Sequence, residues 1–243
     1  MVNTAPTRHI FLHVQKTAGS SLRNSLISAY GENDVALLYP AALGMTVAYF
    51  LTLPAAQRSL YQFIMGHFFF GLHKALPGPT RYIAFLREPI ARVRSQIQQH
   101  LRFKSRFYHD GQEIDLVTAV NEGLSEEFDN LQLRILAGTS SGEVPLGAMG
   151  EAQLRQAIEN LLSHFGFIGL MEEINKEWPR LLTYLNLPPM ILHHDNISEN
   201  LPEAEAIFAK IDWGRVTNRH AEEITMYHLV KNRLQDNARQ LAS

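Results

Sequence analysis

The sequence contains no cysteine among its 243 residues. This absence excludes disulfide bonds, metal sites built on thiolates and a cysteine nucleophile. It is typical of proteins from a reducing compartment, and we expect a cytoplasmic protein.

Long apolar runs and an excess of one charge are also missing. The apolar run from Ile10 to Val14 is short and interrupted by His13, so it predicts neither a signal-peptide core nor a membrane span. The 22 Lys and Arg residues are balanced by 24 Asp and Glu residues. Without a general basic field we expect no nucleic-acid partner. The local basic stretch between residues 92 and 106 fits a solvated helix face as well as a binding patch.

Metal-ligand clusters are scarce as well. The nearest match is His193-His194-Asp195. Adjacent side chains point in different directions, and no third ligand follows at a metal-binding spacing. We therefore expect no metal site.

Strand and helix patterns alternate in the first half of the chain, and the second half is mostly helical. Apolar segments predict strands over residues 9–14, 61–65, 82–86 and 165–170. Periodic segments predict helices over residues 21–30, 54–60, 89–103, 115–121, 126–136, 151–163, 172–185, 203–211 and 217–240, whereas residues 37–52 show no clean period. These patterns predict an α/β fold with a P-loop-like central parallel sheet flanked by helices and a mostly helical C-terminal half. The length suits a single domain over residues 1–243.

The clearest motif is a polar run directly after the first predicted strand, Lys16-Thr17-Ala18-Gly19-Ser20-Ser21. It predicts a tight turn followed by a helix whose first turn is rich in hydroxyl groups. A helix N-terminus offers unpaired N–H groups and the positive end of the helix dipole, and Lys16 adds a full charge. The run therefore predicts a phosphate or sulfate pocket, with an ordinary capped turn as the structural alternative.

A second motif follows the strand over residues 82–86. Arg87-Glu88-Pro89 ends this strand and opens a helix that carries Ser95. An arginine at a strand end attracts phosphate and repels a metal ion. Two anion sites at two strand ends suggest a ligand with phosphates at both ends.

The first motif differs from the loop of nucleotide triphosphatases. That loop reads Gly, four residues, then Gly-Lys-Ser/Thr, whereas here Lys16 precedes Gly19. The acidic residue that normally holds magnesium at the end of a neighbouring strand is replaced by Arg87. Both features argue against a kinase, although a phosphotransferase acting on ATP remains an alternative.

Together these segments resemble the PAPS-dependent sulfotransferases (PAPS is 3′-phosphoadenosine 5′-phosphosulfate), in particular the carbohydrate type that includes heparan sulfate 2-O-sulfotransferases. Residues 14–22 look like the 5′-phosphosulfate loop of that family, with Gln15 in place of its usual proline. Residues 85–95 are similar to its 3′-phosphate motif, with Glu88 in place of its usual aspartate. Gly66-His67 lies where this branch has its catalytic histidine, and weaker similarity continues through residues 130–138 and 167–173.

The resemblance implies an enzyme that transfers a sulfuryl group from PAPS and releases PAP, the 3′,5′-bisphosphate, without a metal. His67 would be the general base and Lys16 a catalytic cation. The residues implied to bind the donor are Lys16, Thr17, Ala18, Gly19, Ser20 and Ser21 at the 5′ end, and Arg87 and Ser95 at the 3′ end. For His67 a purely structural role is the alternative, since the chain has 11 histidines.

The acceptor is expected to be a carbohydrate or another small molecule with a free hydroxyl. The near-neutral charge favours a small or modestly charged acceptor over a long polyanion. Animal members of the family carry a membrane anchor that this sequence does not show, which argues against a glycosaminoglycan acceptor. A non-catalytic protein that binds PAPS or a sulfated glycan is a further alternative. The helix predicted over residues 217–240 can pack on its own core or on a second copy of the chain.

Overall fold

The computed structural model describes residues 7–17, 19–39, 44–192 and 201–242. The chain divides into two compact units, one comprising residues 1–86 and 160–196, the other residues 87–159 and 197–243.

The described residues form seven strands and eleven α-helices. The strands are β1 (Arg8–Leu12), β2 (Val35–Leu38), β3 (Phe63–Gly66), β4 (Thr80–Leu86), β5 (Phe107–His109), β6 (Gln112–Ile114) and β7 (Phe165–Leu170). The helices are α1 (Gly19–Tyr30), α2 (Val47–Thr52), α3 (Ala55–Arg58), α4 (Pro89–Phe103), α5 (Leu116–Glu122), α6 (Leu131–Ala137), α7 (Glu151–His164), α8 (Ile174–Tyr184), α9 (Pro202–Phe208), α10 (Trp213–Arg219) and α11 (Ala221–Ala242).

The first unit contains a five-stranded parallel sheet with the order β2-β3-β1-β4-β7. The central strand β1 pairs with β3 on one side and with β4 on the other, so the strand order changes direction there. In open parallel sheets, ligands bind outside the carboxyl ends of the strands at such a switch point. The loop that follows β1 therefore starts at the position that this topology favours for a ligand.

Helices cover this sheet because they present apolar side chains at helical spacing. Leu22 and Leu26, one turn apart on α1, are buried in a core with Phe11 of β1. Trp178 and Leu181 of α8 lie in the same core. Each such side chain contributes about 1.5–3 kcal/mol by leaving water.

The second unit is helical and has its own core, which includes Val93 and Ile97 of α4 together with Phe128, Phe208 and Val216. Helix α4 begins at Pro89, where proline's missing N–H costs no hydrogen bond. It ends at Phe103 because Lys104 adopts the left-handed conformation, with φ 49°.

The predicted α/β fold with a parallel sheet flanked by helices is confirmed, and α4 and β7 have the predicted bounds. The prediction of one helix over residues 217–240 is wrong, since α10 ends at Arg219 and α11 begins at Ala221. The helix predicted over residues 126–136 is also wrong in part. Its first residues form a 3-10 turn (Glu126–Phe128), and Asn130, with φ 54°, separates that turn from α6.

Four elements were not predicted, namely β2, α2, β5 and β6. The strand β2 overlaps the start of the region without a clean period and α2 lies at its end, whereas β5 and β6 form a hairpin that turns through Asp110-Gly111. Both turn residues have positive φ values, 49° and 78°, as a two-residue hairpin turn requires.

Gly66, the last residue of β3, lies where only glycine fits. A Cβ atom there would lie 2.0 Å from the main-chain oxygen of Leu38 in β2. We expect Gly66→Ala to lower the free energy of unfolding by about 2 kcal/mol, because neither backbone yields easily. Urea denaturation measures this. The control is Gly142→Ala, whose added Cβ would meet its nearest neighbour, Ser140 Oγ, at 3.6 Å; equal stability of the two variants would contradict the prediction.

Candidate functional site

The loop after β1 makes a sharp turn before α1. Lys16 has a φ of 71°, in the left-handed region that costs a non-glycine residue about 1–2 kcal/mol. Thr17 is fully buried, and its hydroxyl donates a hydrogen bond to the main-chain oxygen of Val14 at 2.8 Å. Helix α1 then begins at Gly19, so its first N–H groups lie at the carboxyl end of β1. Ala18 and the side chain of Ser20 lie outside the described residues.

Gly19 is required here by a close contact with an imidazole ring. A Cβ atom on Gly19 would lie 1.5 Å from Nε2 of His13, so the start of α1 packs directly against this ring. His13 itself is buried, with 8% of its surface exposed. The glycine of the loop therefore serves the packing of α1 onto the end of β1, in addition to the role in anion binding that the sequence predicts.

His67 directly follows β3, and its ring is oriented by the main chain. Its Nδ1 donates a hydrogen bond to the main-chain oxygen of His13 at 2.8 Å. A carbonyl oxygen only accepts, so the neutral ring carries its proton on Nδ1, and Nε2 is the basic nitrogen. The main-chain N–H of His67 donates to the oxygen of Leu38 at 3.0 Å, which continues the pairing of β3 with β2.

Three aromatic rings meet at these strand ends. The centroids of His13 and His67 are 4.3 Å apart, and Tyr39 lies edge-on to His67 at 4.9 Å. Nδ1 of His13 and the hydroxyl of Tyr39 are hydrogen bonded at 2.8 Å. Burial lowers the pKa of His13 well below its ordinary value, and the charges of His67, Arg23 and Lys16 lower it further. Burial also raises the pKa of Tyr39, so the two groups that support His67 are neutral at pH 7.

Arg87 belongs to the second unit, and a side-chain amide holds its main chain. Its N–H donates to Oε1 of Gln132 at 2.9 Å, and its oxygen accepts from Nε2 of Gln132 at 2.8 Å. The carboxylate of Glu88 accepts from the N–H groups of Ile90 and Ala91, at 3.1 and 2.6 Å, and so caps α4. Since Glu88 occupies the start of this helix, any anion bound here depends on side chains such as Arg87.

Ser95 lies on the buried face of α4, one turn after Arg92. Arg92 is fully buried, with its Nε 4.0 Å from a carboxylate oxygen of Glu223. Burial lowers the pKa of Arg92, the charges of Glu223 and Glu127 oppose this, and the charge of Arg87 adds to it.

Four of the five basic side chains between residues 92 and 106 are exposed, and one is buried. Arg92 is buried, while the guanidinium of Arg94 stacks on Trp213 and Phe208 at 4.5 and 4.9 Å from the ring centroids. Arg94 is nevertheless exposed, as are Arg102, Lys104 and Arg106.

The predicted site residues thus fall into two groups. Lys16, Thr17, Gly19, Ser21 and His67 belong to the first unit, and Arg87 and Ser95 to the second. The sequence interpretation missed Tyr39, which directly follows the unpredicted strand β2. It also missed Gln132, which lies in the segment over residues 130–138 that carries weaker similarity to the sulfotransferases.

The described residues hold neither a metal-ligand cluster nor a helix suited to cross a membrane. Within residues 7–17, 19–39, 44–192 and 201–242, no group of three or more His, Cys, Asp or Glu side chains is arranged to hold a metal ion. The candidate cluster His193-His194-Asp195 lies outside the described residues. No helix in the described part of the chain combines the length and the apolar character needed to cross a bilayer.

Comparisons with known proteins gave matches only among solved structures. No protein-family model matches the sequence, and no curated protein matches it. A crystal structure of a sulfotransferase from Alicyclobacillus acidocaldarius aligns with a TM-score of 0.43 and 14% identity, over 91% of this chain and 97% of that one. Mouse sulfotransferase SULT7A1 complexed with PAP aligns with a TM-score of 0.40 and 14% identity, over 88% of this chain and 68% of that one.

The buried His13 predicts a pH dependence of stability. In the unfolded chain His13 titrates near pH 6.5, whereas its pKa in the folded protein is lower. Below about pH 6.5 the unfolded state binds a proton that the folded state does not, so acidification lowers the free energy of unfolding, by up to about 1.4 kcal/mol per pH unit. We expect His13→Asn to lose less stability than the wild type between pH 7 and pH 5.

Urea denaturation at a series of pH values provides the measurement. The control is His109→Asn, because His109 lies on β5 with its side chain half exposed. A His13→Asn variant with the same pH slope as the wild type would show that His13 titrates normally in the folded protein.

Proposed function

We propose that this protein is a sulfotransferase that moves a sulfuryl group from PAPS to a hydroxyl of a carbohydrate or another small acceptor. The observation that carries the proposal is the hydrogen bond from His67 Nδ1 to the main-chain oxygen of His13. It makes Nε2 the basic nitrogen at the carboxyl end of β3, and β3 pairs with the strand that leads into the Lys16 loop. The two phosphate motifs of the sequence support it.

His67 is assigned the role of general base. Its Nε2 accepts the proton of the acceptor hydroxyl as the oxygen attacks sulfur and the bond from sulfur to the bridging oxygen breaks. General-base catalysis by a positioned histidine contributes about a hundred- to ten-thousand-fold in rate. The neutral His13 and Tyr39 beside it place no positive charge against the imidazole that would oppose its protonation.

Lys16 and the start of α1 are assigned to the 5′ end of the donor. Lys16 neutralises the charge that develops on the bridging oxygen as PAP leaves. The main-chain N–H groups from Thr17 to Ser21, with the hydroxyls of Ser20 and Ser21, hold the 5′-phosphate. The hydroxyl of Thr17 donates to Val14, so we assign only its N–H to the phosphate.

Arg87 and Ser95 are assigned to the 3′-phosphate. The guanidinium of Arg87 suits a bidentate pair of hydrogen bonds to phosphate oxygens, and the hydroxyl of Ser95 supplies a third. None of the proposed steps needs a metal ion. We further propose that the acceptor is small or modestly charged and that the enzyme works in the cytoplasm.

His67→Ala tests the catalytic assignment. We expect turnover with PAPS to fall at least about a hundredfold, because the base is lost, while PAP binding is retained. Turnover is measured by mass spectrometry of sulfated product across a panel of sugars and small hydroxylated acceptors, and PAP affinity by calorimetry. The control is His73→Ala, a partly exposed histidine of the same unit. Full activity of His67→Ala would refute this role, and activity with ATP and magnesium in place of PAPS would indicate a phosphotransferase.

Arg87→Ala tests the assignment of the 3′-phosphate. We expect the affinity for PAP to fall about 10- to 100-fold, because charge-assisted hydrogen bonds are lost, and the affinity for AMP, which lacks the 3′-phosphate, to change little. The control Arg102→Ala removes an equal charge from the exposed end of α4. Equal losses for PAP and AMP in Arg87→Ala would contradict the assignment.

A further inference from the structure

The main chain of Arg87 is held by a side chain 45 residues away in sequence. We infer that Gln132, held in turn by Glu223, is a positioning residue that aims Arg87 at the 3′-phosphate and so sets the preference for a 3′,5′-bisphosphate over a 5′-monophosphate. The inference rests on the proposed function.

The carboxamide of Gln132 does for Arg87 what a neighbouring strand does for a residue in a sheet. It accepts the N–H of Arg87 at 2.9 Å and donates to its oxygen at 2.8 Å. Arg87 follows Leu86, the last residue of β4 that pairs with β7. Because both polar groups of its main chain are bound, rotation of either backbone dihedral angle breaks a hydrogen bond. The direction in which the Arg87 side chain leaves the main chain is thereby set.

Glu223 of α11 prevents the carboxamide from turning over. It is fully buried, and its Oε1 accepts the second hydrogen of Gln132 Nε2 at 2.9 Å. Its Oε2 accepts the main-chain N–H groups of Gln132 and Leu133 at 3.1 and 3.4 Å. A flipped carboxamide would place its oxygen against the carboxylate of Glu223 and the oxygen of Arg87, which is repulsive.

The buried charge of Glu223 is itself compensated. Nε of Arg92 lies 4.0 Å from it, and Nη2 of Arg92 donates to the main-chain oxygen of Glu127 at 2.5 Å. A buried row of interactions thus runs from Arg92 through Glu223 and Gln132 to Arg87. Fixing the main chain in advance reduces the conformational freedom that Arg87 loses when it binds phosphate. This raises the affinity only for a ligand that carries a 3′-phosphate.

The test compares two glutamine-to-methionine variants. Gln132→Met keeps the length of the side chain and removes both hydrogen bonds to Arg87. The matched control is Gln96→Met, since Gln96 is also buried in the second unit, and its Nε2 is hydrogen bonded to Nε2 of His100 at 3.0 Å. Calorimetry measures the affinities for PAP and AMP, and thermal unfolding shows that each variant is folded.

We expect the ratio of PAP to AMP affinity to fall about tenfold in Gln132→Met and to stay at the wild-type value in Gln96→Met. A wild type that binds PAP no better than AMP would overturn the proposed function and the inference with it. A wild type that prefers PAP, together with a folded Gln132→Met that keeps the full preference, would overturn the inference alone.

A second measurement needs no variant. In the wild type, the amide proton of Arg87 is expected to exchange slowly with solvent, because it is donated to Gln132. Hydrogen exchange followed by NMR measures its rate. Exchange as fast as that of an open loop amide would overturn the inference even if Gln132→Met does not fold.

Discussion

The hydrogen bond between Nδ1 of His67 and the main-chain oxygen of His13 joins the carboxyl end of β3 to that of β1. Strand pairing brings these residues together, since β1 and β3 are neighbours whose register places Leu12 beside Gly66. The same contact selects the tautomer of His67, and the ring of His13 supports it from one side. The pairing of β1 with β3 therefore also determines which nitrogen of the proposed base carries the proton. Gly19 and Gly66 permit this arrangement, because a Cβ atom on Gly19 would clash with the His13 ring and one on Gly66 with the main chain of Leu38.

In each unit a hydrogen bond between a main-chain group and a side chain fixes a residue that is proposed to act on the donor or acceptor. In the first unit the oxygen of His13 orients His67, and in the second the carboxamide of Gln132 holds Arg87. In each case the support is buried. Such supports keep a reactive or charged group in place without using the atoms that are proposed to meet the ligand.

Elements with strong local signals could be predicted from the sequence. Helix α4 has Pro89 in its first turn, and β7 is a continuous apolar run bounded by helices, so both have the predicted bounds. The strand β2 has only four residues and no alternation of polar and apolar residues. It therefore could not be distinguished from the neighbouring sequence, which shows no clean period. The break between α10 and α11 falls at His220, which is buried. Histidine is not a helix-breaking residue type, so the sequence does not mark this break.

The sequence by itself determined the parallel α/β class, the hydroxyl-rich start of α1 after Lys16, and the placement of Arg87 at a strand end, because each depends on residues close together in the chain. Only the tertiary structure decided that His13 supports His67, that Tyr39 binds His13, and that Glu223 and Gln132 hold Arg87. Those partners are 26 to 91 residues apart. Local periodicity carries no information about which distant side chains meet, since strand order and helix packing set their distances.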